Sequence, residues 1–143
     1  MWFYDVDGDG RDEILPGYQL YDGDGNLLWL MEGAEYIEDS KGGGHVDHAA
    51  FGELDGDESN GPEIGIAGSD PGFFLVDAST VSLLRHHRYG HVQGIYAGNF
   101  RTDLQGLEMW MGNRWENYGI MNLVSGQGDP LTQFEQDTNS QGG

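Results

Sequence analysis

The chain has 143 residues, enough for one ordinary domain with a sizeable core, and 25 acidic against 6 basic residues give it a formal charge of −19. A field of that sign repels phosphate backbones and anionic lipid, which argues against nucleic acid or a membrane surface as partner, and it attracts divalent cations. The absence of cysteine excludes disulfides and thiolate metal sites, and no apolar run is long enough for a transmembrane helix.

Short runs rich in β-branched and aromatic residues, separated by Gly- and Asp-rich turns, predict strands along the whole chain. No segment sustains the apolar spacing of an amphipathic helix over three turns. The predicted strands of the first unit are 2–6, 13–16, 18–22 and 27–32. Those of the second unit are 46–54, 63–68, 73–77 and 83–88. Those of the third unit are 92–100, 107–112, 119–124 and 131–135.

The first loop, DVDGDGRDE, has the spacing of a calcium loop. Its aspartates alternate with other residues, a glycine permits a sharp turn, and a glutamate closes the segment. Calcium takes six to eight oxygen ligands from carboxylates and backbone carbonyls, and like charges this close repel without a cation. The predicted ligands are Asp5, Asp7, Asp9, the carbonyl of Arg11, and Glu13. The loop is not an EF-hand, since Pro16 occupies the twelfth position and no helices flank it.

The other acidic turns differ in whether they are predicted to bind a metal ion. The segment 21–26, YDGDGN, is interpreted as a plain hairpin turn, in preference to an ion shared by Asp22 and Asp24. The second loop, GELDGDESNGPE, repeats the first with a longer interval before its last glutamate. Its predicted calcium ligands are Glu53, Asp55, Asp57 and Glu63.

The third loop, GNFRTDLQGLE, carries a cation at the middle ligand position. We expect Arg101 to replace the metal there by pairing with Asp103 or Glu108 through charge-assisted hydrogen bonds.

The three loops belong to an internal repeat. Gly-His-Val begins at Gly44 and again at Gly90, and each copy continues into an acidic loop, a Gly-x-Glu segment and a hairpin. Four-stranded units repeating at about 40–50 residues are typical of β-propeller blades. The sequence therefore predicts an all-β single domain of three four-stranded antiparallel blades, 1–44, 45–90 and 91–143. A sandwich or a solenoid of hairpins is the alternative.

Three blades cannot close a ring that needs about four to eight. We therefore expect an incomplete propeller with further blades in the same parent chain, and a closed ring of several copies is less favoured.

Several side chains are candidates for catalysis or binding, either because they recur at equivalent positions of the repeat or because they occur in one copy only. His45 and His91 hold equivalent positions and could act as base, although a structural role for a repeated histidine is favoured. Asp47 and His48 occur only in the second copy and could bind metal or substrate. The insert GNRWENYG offers Arg114 to neutralise a uronate, with Trp115 and Tyr118 as faces for a sugar. His86 and His87 are expected on a solvated edge strand.

The segment DVDGDGRDEIL is similar to the calcium loops of FG-GAP and VCBS-type propeller blades. GHVDHAAFGELDGDESNGPEI resembles bacterial rhamnogalacturonan lyases of polysaccharide lyase family 11. That resemblance implies an eight-bladed, calcium-rich propeller that cleaves pectin-type acidic polysaccharide by β-elimination, and export to the periplasm or outside the cell.

This chain departs from that expectation in two respects. It has too few blades, and its only lysine is Lys41, in a Lys-Gly-Gly-Gly loop, so few residues could supply a lysine base. Because the same loops occur in proteins without enzymatic activity, a non-catalytic FG-GAP-like module for adhesion or binding is the alternative function.

Overall fold

The computed structural model describes residues 1–31, 45–113 and 119–135, and every regular element in these ranges is a β-strand. The first four strands are β1 (Trp2–Tyr4), β2 (Glu13–Leu15), β3 (Gln19–Tyr21) and β4 (Leu27–Leu30). The next four are β5 (His48–Gly52), β6 (Glu63–Ala67), β7 (Phe73–Asp77) and β8 (Leu83–His87). The last four are β9 (Val92–Gly98), β10 (Glu108–Asn113), β11 (Ile120–Val124) and β12 (Pro130–Glu135).

Each group of four consecutive strands forms its own antiparallel sheet, in which neighbours in sequence are neighbours in space. We call these the first, middle and third sheets. The prediction of three four-stranded antiparallel sheets is confirmed, and all twelve predicted strands are present. Within the described ranges there is no helix that could span a membrane.

Beside the acidic loops, β1, β5 and β9 each end two residues before the predicted boundary. The predicted strand 46–54, for example, ends at Gly52 in β5. The amides of Leu54 and Asp55 donate to the carboxylate of Glu63 instead of to a neighbouring strand. The carboxylate of Glu63 therefore takes the place of a strand-to-strand hydrogen-bond partner at that point. The alternation of apolar residues in the sequence does not predict this.

One hydrophobic core lies between the first and middle sheets. Leu15, Leu20 and Trp29 belong to the same buried cluster as Ile64 and Phe74. The indole Nε1 of Trp29 also donates to the carbonyl of Ala78 at 2.7 Å, so this large side chain buries no unpaired polar atom. The first two sheets are thus joined by packing and by a directional contact.

A second core lies on the opposite face of the middle sheet. Phe73 and Leu75 pack in one buried cluster with Ile95, Met109 and Met111 of the third sheet. Successive residues of a strand point to opposite faces, so β7 supplies both cores alternately. All five residues of β6 are buried, which is typical of a strand covered on both sides.

The sheets approach one another most closely along their first strands. β5 contacts both β1 and β9, and no comparable contact joins β4, β8 and β12 among the described residues. The outer faces of the three-sheet stack carry exposed apolar side chains. They are Phe3 and Leu30 on the first sheet, and Phe100 and Phe134 on or beside the third.

The second acidic loop is docked on the third sheet through hydrogen bonds to its backbone carbonyls. The amide of Leu107 donates to the carbonyl of Leu54 at 2.7 Å, and the side chain of Gln127 donates to the carbonyl of Asp55 at 3.0 Å. A Cβ atom at Gly126 would overlap the carbonyl oxygen of Leu54. Glycine is required there because two backbones meet.

Gly126→Ala is expected to destabilise the protein by about 1–3 kcal/mol, the usual cost of forcing extra volume into a packed contact. Urea unfolding followed by tryptophan fluorescence measures the change. Gly17→Ala is the matched control, because a Cβ at Gly17 meets no atom within 4 Å. Equal unfolding midpoints for the two variants would contradict the proposed close contact.

Candidate functional site

The last glutamate of each acidic loop is buried and binds backbone amides of the same loop. Glu13, Glu63 and Glu108 are only 3%, 2% and 0% exposed. The amides donate to one oxygen, Oε2, in every copy. The pairs are Val6 to Glu13 at 2.7 Å, Leu54 and Asp55 to Glu63 at 2.8 and 3.1 Å, and Phe100 and Arg101 to Glu108, both at 2.8 Å. A charged acceptor makes these bonds stronger than neutral ones, so the glutamate fixes the start of each loop.

The first loop gathers carboxylates around one point. Both oxygens of Asp5 accept backbone hydrogen bonds, from Gly8 at 2.8 Å and from Gly10 at 2.9 Å. Oxygens of Asp5, Asp7 and Glu13 all lie within 4.8 Å of one another. This all-oxygen donor set suits a hard cation such as calcium. Asp9 is not in that group; its Oδ1 accepts from the amide of Arg11 at 2.8 Å.

The side chain of Arg11 turns away from the loop to the neighbouring hairpin. It forms a two-pronged ion pair with Asp24, at 3.0 and 2.8 Å. This hydrogen bond raises the pKa of Arg11 and lowers the pKa of Asp24. Asp22 accepts from the amide and the side chain of Asn26, both at 2.8 Å. The segment 21–26 is therefore held as a hairpin turn by its own hydrogen bonds.

The second loop satisfies Asp55 and Asp57 by hydrogen bonds within the loop, whereas Oε2 of Glu53 is buried without a hydrogen-bond partner. Asp55 accepts from the amide of Asp57 and from the side chain of Asn60, and Asp57 accepts from Ser59. Burial raises the pKa of Glu53 and of Glu63, because desolvation disfavours the charged form. Among the described residues, this loop does not bring three such ligand atoms as close together as the first loop does. Calcium binding by Glu53, Asp55, Asp57 and Glu63 stays a prediction.

The third loop contains the ion pair expected from its sequence. The guanidinium of Arg101 donates to both oxygens of Asp103, at 3.0 and 2.6 Å. Hydrogen bonding to Arg101 lowers the pKa of Asp103. A side-chain cation thus occupies the loop where the first copy gathers carboxylates.

The repeated histidines meet at the opposite end of β5 from the second acidic loop. Nε2 of His45 lies 3.1 Å from Oδ1 of Asp47, and Nε2 of His91 lies 3.4 Å from Oδ2 of the same carboxylate. Nδ1 of His91 lies 2.6 Å from Oδ1 of Asp70. The structure therefore brings together three predicted site residues and adds Asp70, which the sequence analysis missed. The sequence Ser-Asp-Pro-Gly around Asp70 predicts only a turn, so the pattern does not indicate that Asp70 contacts a histidine.

His48 lies apart from that cluster, on the strand that follows it. Its ring contacts Trp2 of the first sheet at a centroid distance of 5.8 Å and Tyr96 of the third sheet at 5.0 Å. His48 thus bridges the three sheets where their first strands converge. A substrate-binding role for His48 stays a prediction.

His86 and His87 lie on the edge strand β8, as expected, but the expectation that they are solvated is wrong. His86 stacks on Phe74 at a centroid distance of 4.4 Å, and His87 stacks on Phe73 at 6.1 Å. Both are half-buried, and their Nε2 atoms contact the carbonyls of Pro71 and Gly128 at 2.8 Å. Aromatic neighbours across the strand pair, rather than water, cover their rings.

Arg114, Trp115 and Tyr118, the predicted uronate and sugar contacts, lie outside the described residues, as does Lys41. The insert that contains the first three residues connects β10 to β11.

Comparison with solved structures gives a consistent likeness. The chain is similar to the rhamnogalacturonan lyase YesW (26% identity, TM-score 0.68), the exotype rhamnogalacturonan lyase YesX (28%, 0.70) and the Bacillus licheniformis rhamnogalacturonan lyase PL11 (25%, 0.67). In each case 91% of this chain is covered, whereas the chain spans only about a fifth of the other protein, 20%, 21% and 20% respectively. No protein-family model and no curated protein sequence matches it. The fold and part of the sequence are thus lyase-like.

Glu108→Ala is expected to lower the free energy of unfolding by about 2–4 kcal/mol, because it strands two amide donors in a buried position. Chemical denaturation measures it, with Glu135→Ala, an exposed glutamate on β12, as control. If Glu108→Ala unfolds at the same denaturant concentration as the control, the buried glutamate does not hold the loop.

Proposed function

We propose that this chain forms three consecutive blades of a calcium-binding β-propeller within a rhamnogalacturonan-lyase-like protein that acts on acidic polysaccharide. The observation that carries this proposal is the likeness to three rhamnogalacturonan lyases over nine-tenths of the chain. Because the chain spans about a fifth of those structures, both the activity and the substrate are proposed for the longer polypeptide.

The propeller arrangement is supported by how the sheets pack. Blades of a propeller are four-stranded sheets arranged radially around a channel. The three sheets here stack face to face and converge along β1, β5 and β9, as radial blades would. The apolar side chains on both outer faces, Phe3 and Phe134 among them, are 55% and 47% exposed. Further blades of the same parent chain would cover them.

Calcium is proposed as the cation of the first loop. Three carboxylates with oxygens within 4.8 Å of each other repel unless a cation neutralises them. Calcium accepts mono- and bidentate carboxylates in flexible geometry, which suits Asp5, Asp7 and Glu13. When bound, the ion would supply charge neutralisation that fixes the loop.

Cleavage by β-elimination needs a cation to neutralise the uronate and a base to remove the C5 proton. In the proposed enzyme, His45 and Asp47 lie at the start of β5, where the first strands converge. His45 is the more accessible of the two repeated histidines, with its side chain 59% exposed against 13% for His91. We assign substrate contact to this end of the sheets, and export of the parent protein to the outside or the periplasm belongs to the same proposal.

A non-catalytic recognition or adhesion module is the second candidate, and the setting of His91 favours it. One ring nitrogen contacts Asp70 and the other faces Asp47, so neither is directed at open solvent. Such a histidine positions neighbouring groups rather than removing a substrate proton.

Calcium added to chelator-treated protein is expected to raise the melting temperature and to release or absorb heat in a calorimetric titration. Asp5→Asn should remove the high-affinity part of both effects, because Asp5 belongs to the convergent set. Asp103→Asn is the matched control, since Asp103 pairs with Arg101. Calcium binding that is identical in Asp5→Asn and the unsubstituted protein would contradict the assignment.

The enzymatic part is tested by incubating rhamnogalacturonan with the longest natural polypeptide that contains this chain, in the presence of calcium. Elimination creates an unsaturated uronate, so ultraviolet absorbance should rise with time, and the three sheets alone should be inactive. Binding of the polymer without a rise in absorbance would overturn the lyase proposal in favour of the recognition module.

A further inference from the structure

A cleft opens at the outer edge of the interface between the middle and third sheets. It lies between β8 and the last two strands of the third sheet and has a volume of about 250 Å³. Its lining includes His87 and Tyr89 on one side and Asn122, Leu131 and Gln133 on the other. We call it the rim cleft, and we propose that it binds one neutral sugar ring. The inference goes beyond the proposed lyase activity and does not depend on it.

The rim cleft lies where the third sheet departs from the repeat. Counted from the glutamate that begins the second strand, Ile66 of the middle sheet and Met111 of the third sheet are equivalent. Ile66 pairs with Phe74, whereas Met111 pairs with Asn122. Asn122 therefore holds the position in the third sheet that Phe74 holds in the middle sheet.

Aromatic rings fill this position between the first and middle sheets. Phe74 stacks on His86 at a centroid distance of 4.4 Å and meets the ring of Tyr18 edge to face at 6.1 Å. In the third sheet, Gln133 pairs with Asn122 as His86 pairs with Phe74. Two amides have thus replaced two stacked rings, and because the amides are smaller they leave the rim cleft open.

The two amides keep hydrogen-bonding capacity for a ligand. Asn122 is 1% exposed, and its Oδ1 accepts from Nε2 of Gln133 at 2.7 Å. Its Nδ2 donates to Oδ1 of Asn113 at 3.4 Å, which is longer than a good hydrogen bond. Because the exposed Gln133 uses its Nε2 in this pair, its Oε1 remains as an acceptor. The amide pair can therefore both donate to and accept from a hydroxyl group.

Stacked rings form the facing wall of the rim cleft. The ring of His87 stacks on Phe73 at a centroid distance of 6.1 Å and on Tyr89 at 5.0 Å. Nε2 of His87 contacts the carbonyl of Gly128 at 2.8 Å, which fixes the plane of the ring. Ligand sites typically combine apolar and aromatic walls with a few placed polar groups. A sugar ring, which has apolar C–H faces and hydroxyl groups at its edge, matches both walls of the cleft.

The absence of charge in the rim cleft favours a neutral sugar. Among the described residues that line it there is no Asp, Glu, Lys or Arg. A uronate would therefore find no cation to pair with its carboxylate, and the chain's charge of −19 would repel it. The volume is also below the roughly 300–1,000 Å³ of typical ligand pockets. One ring, with any remaining sugar units in solvent, is thus the ligand that fits.

The test is an NMR titration of the isotope-labelled full chain with D-galactose, with L-rhamnose and, separately, with D-galacturonate. At least one neutral sugar is expected to shift the side-chain amide resonances of Asn122 and Gln133, with about millimolar affinity, as is usual for one small ring. Galacturonate should bind about tenfold more weakly, because nothing in the cleft neutralises its carboxylate. Gln133→Ala should weaken binding of the neutral sugar about tenfold, because it removes one of the two amides.

Gln19→Ala is the matched control, because Gln19 lies on the first sheet and contacts Tyr21. The double substitution Asn122→Phe with Gln133→His copies the ring pair of the middle sheet and should abolish binding by filling the cleft. If that variant does not fold, Gln133→Ala, at an exposed position, decides alone. Equal affinity in Gln133→Ala and the Gln19→Ala control would overturn the proposal, as would no binding of either neutral sugar or equally tight binding of galacturonate. Binding of a single sugar needs no elimination, so this proposal and the lyase proposal fail or succeed separately.

Discussion

The fold depends on the buried glutamate at the end of each acidic loop. Its carboxylate accepts hydrogen bonds from backbone amides at the start of the same loop. In all three copies this glutamate is the first residue of the second strand of its sheet, and it accepts hydrogen bonds from amides of residues that follow the first strand. The first two strands of each sheet are therefore tied together at their acidic end by a charge-assisted bond as well as by the ladder. A buried carboxylate is tolerable only when hydrogen-bonded, and these amides would be orphaned without it. The carboxylate and the amides thus satisfy one another's hydrogen-bonding capacity, which allows both to be buried.

Because the glutamate holds the loop, the shape of the loop does not depend on whether the loop binds a metal ion. The third copy keeps its glutamate, yet Arg101 neutralises Asp103 where the first copy gathers Asp5, Asp7 and Glu13. The same backbone course is therefore compatible with a bound cation or with an internal one. For a chain of charge −19, each such neutralisation reduces repulsion within the folded state.

The acidic loops and the histidine cluster occupy opposite ends of the sheets and differ in chemistry. The first acidic loop brings carboxylate oxygens together within a single sheet. The histidine cluster takes its side chains from the start of two neighbouring sheets, with Asp70 on the turn that follows β6. Its contacts therefore bear on how the middle and third sheets are arranged.

Most of the fold could be predicted from the sequence because its causes are local. Alternating apolar residues and Asp-Gly turns located every strand, and the charge pattern of the third loop predicted the pairing of Arg101 with Asp103. What sequence reasoning missed depends on neighbours brought together by packing. The contact of Asp70 with His91, the reach of Arg11 to Asp24, and the stacking of His86 on Phe74 each join separate turns or strands. No spacing rule along the chain encodes such partners.

Amide hydrogen exchange measured by NMR tests the central constraint most directly. The amides of Phe100 and Arg101 lie outside any strand, yet both donate to the buried Glu108. We predict that they exchange as slowly as amides within β10, and much more slowly than Thr102, which follows them in the same loop. Exchange of Phe100 and Arg101 at the rate of an unstructured peptide would contradict the account.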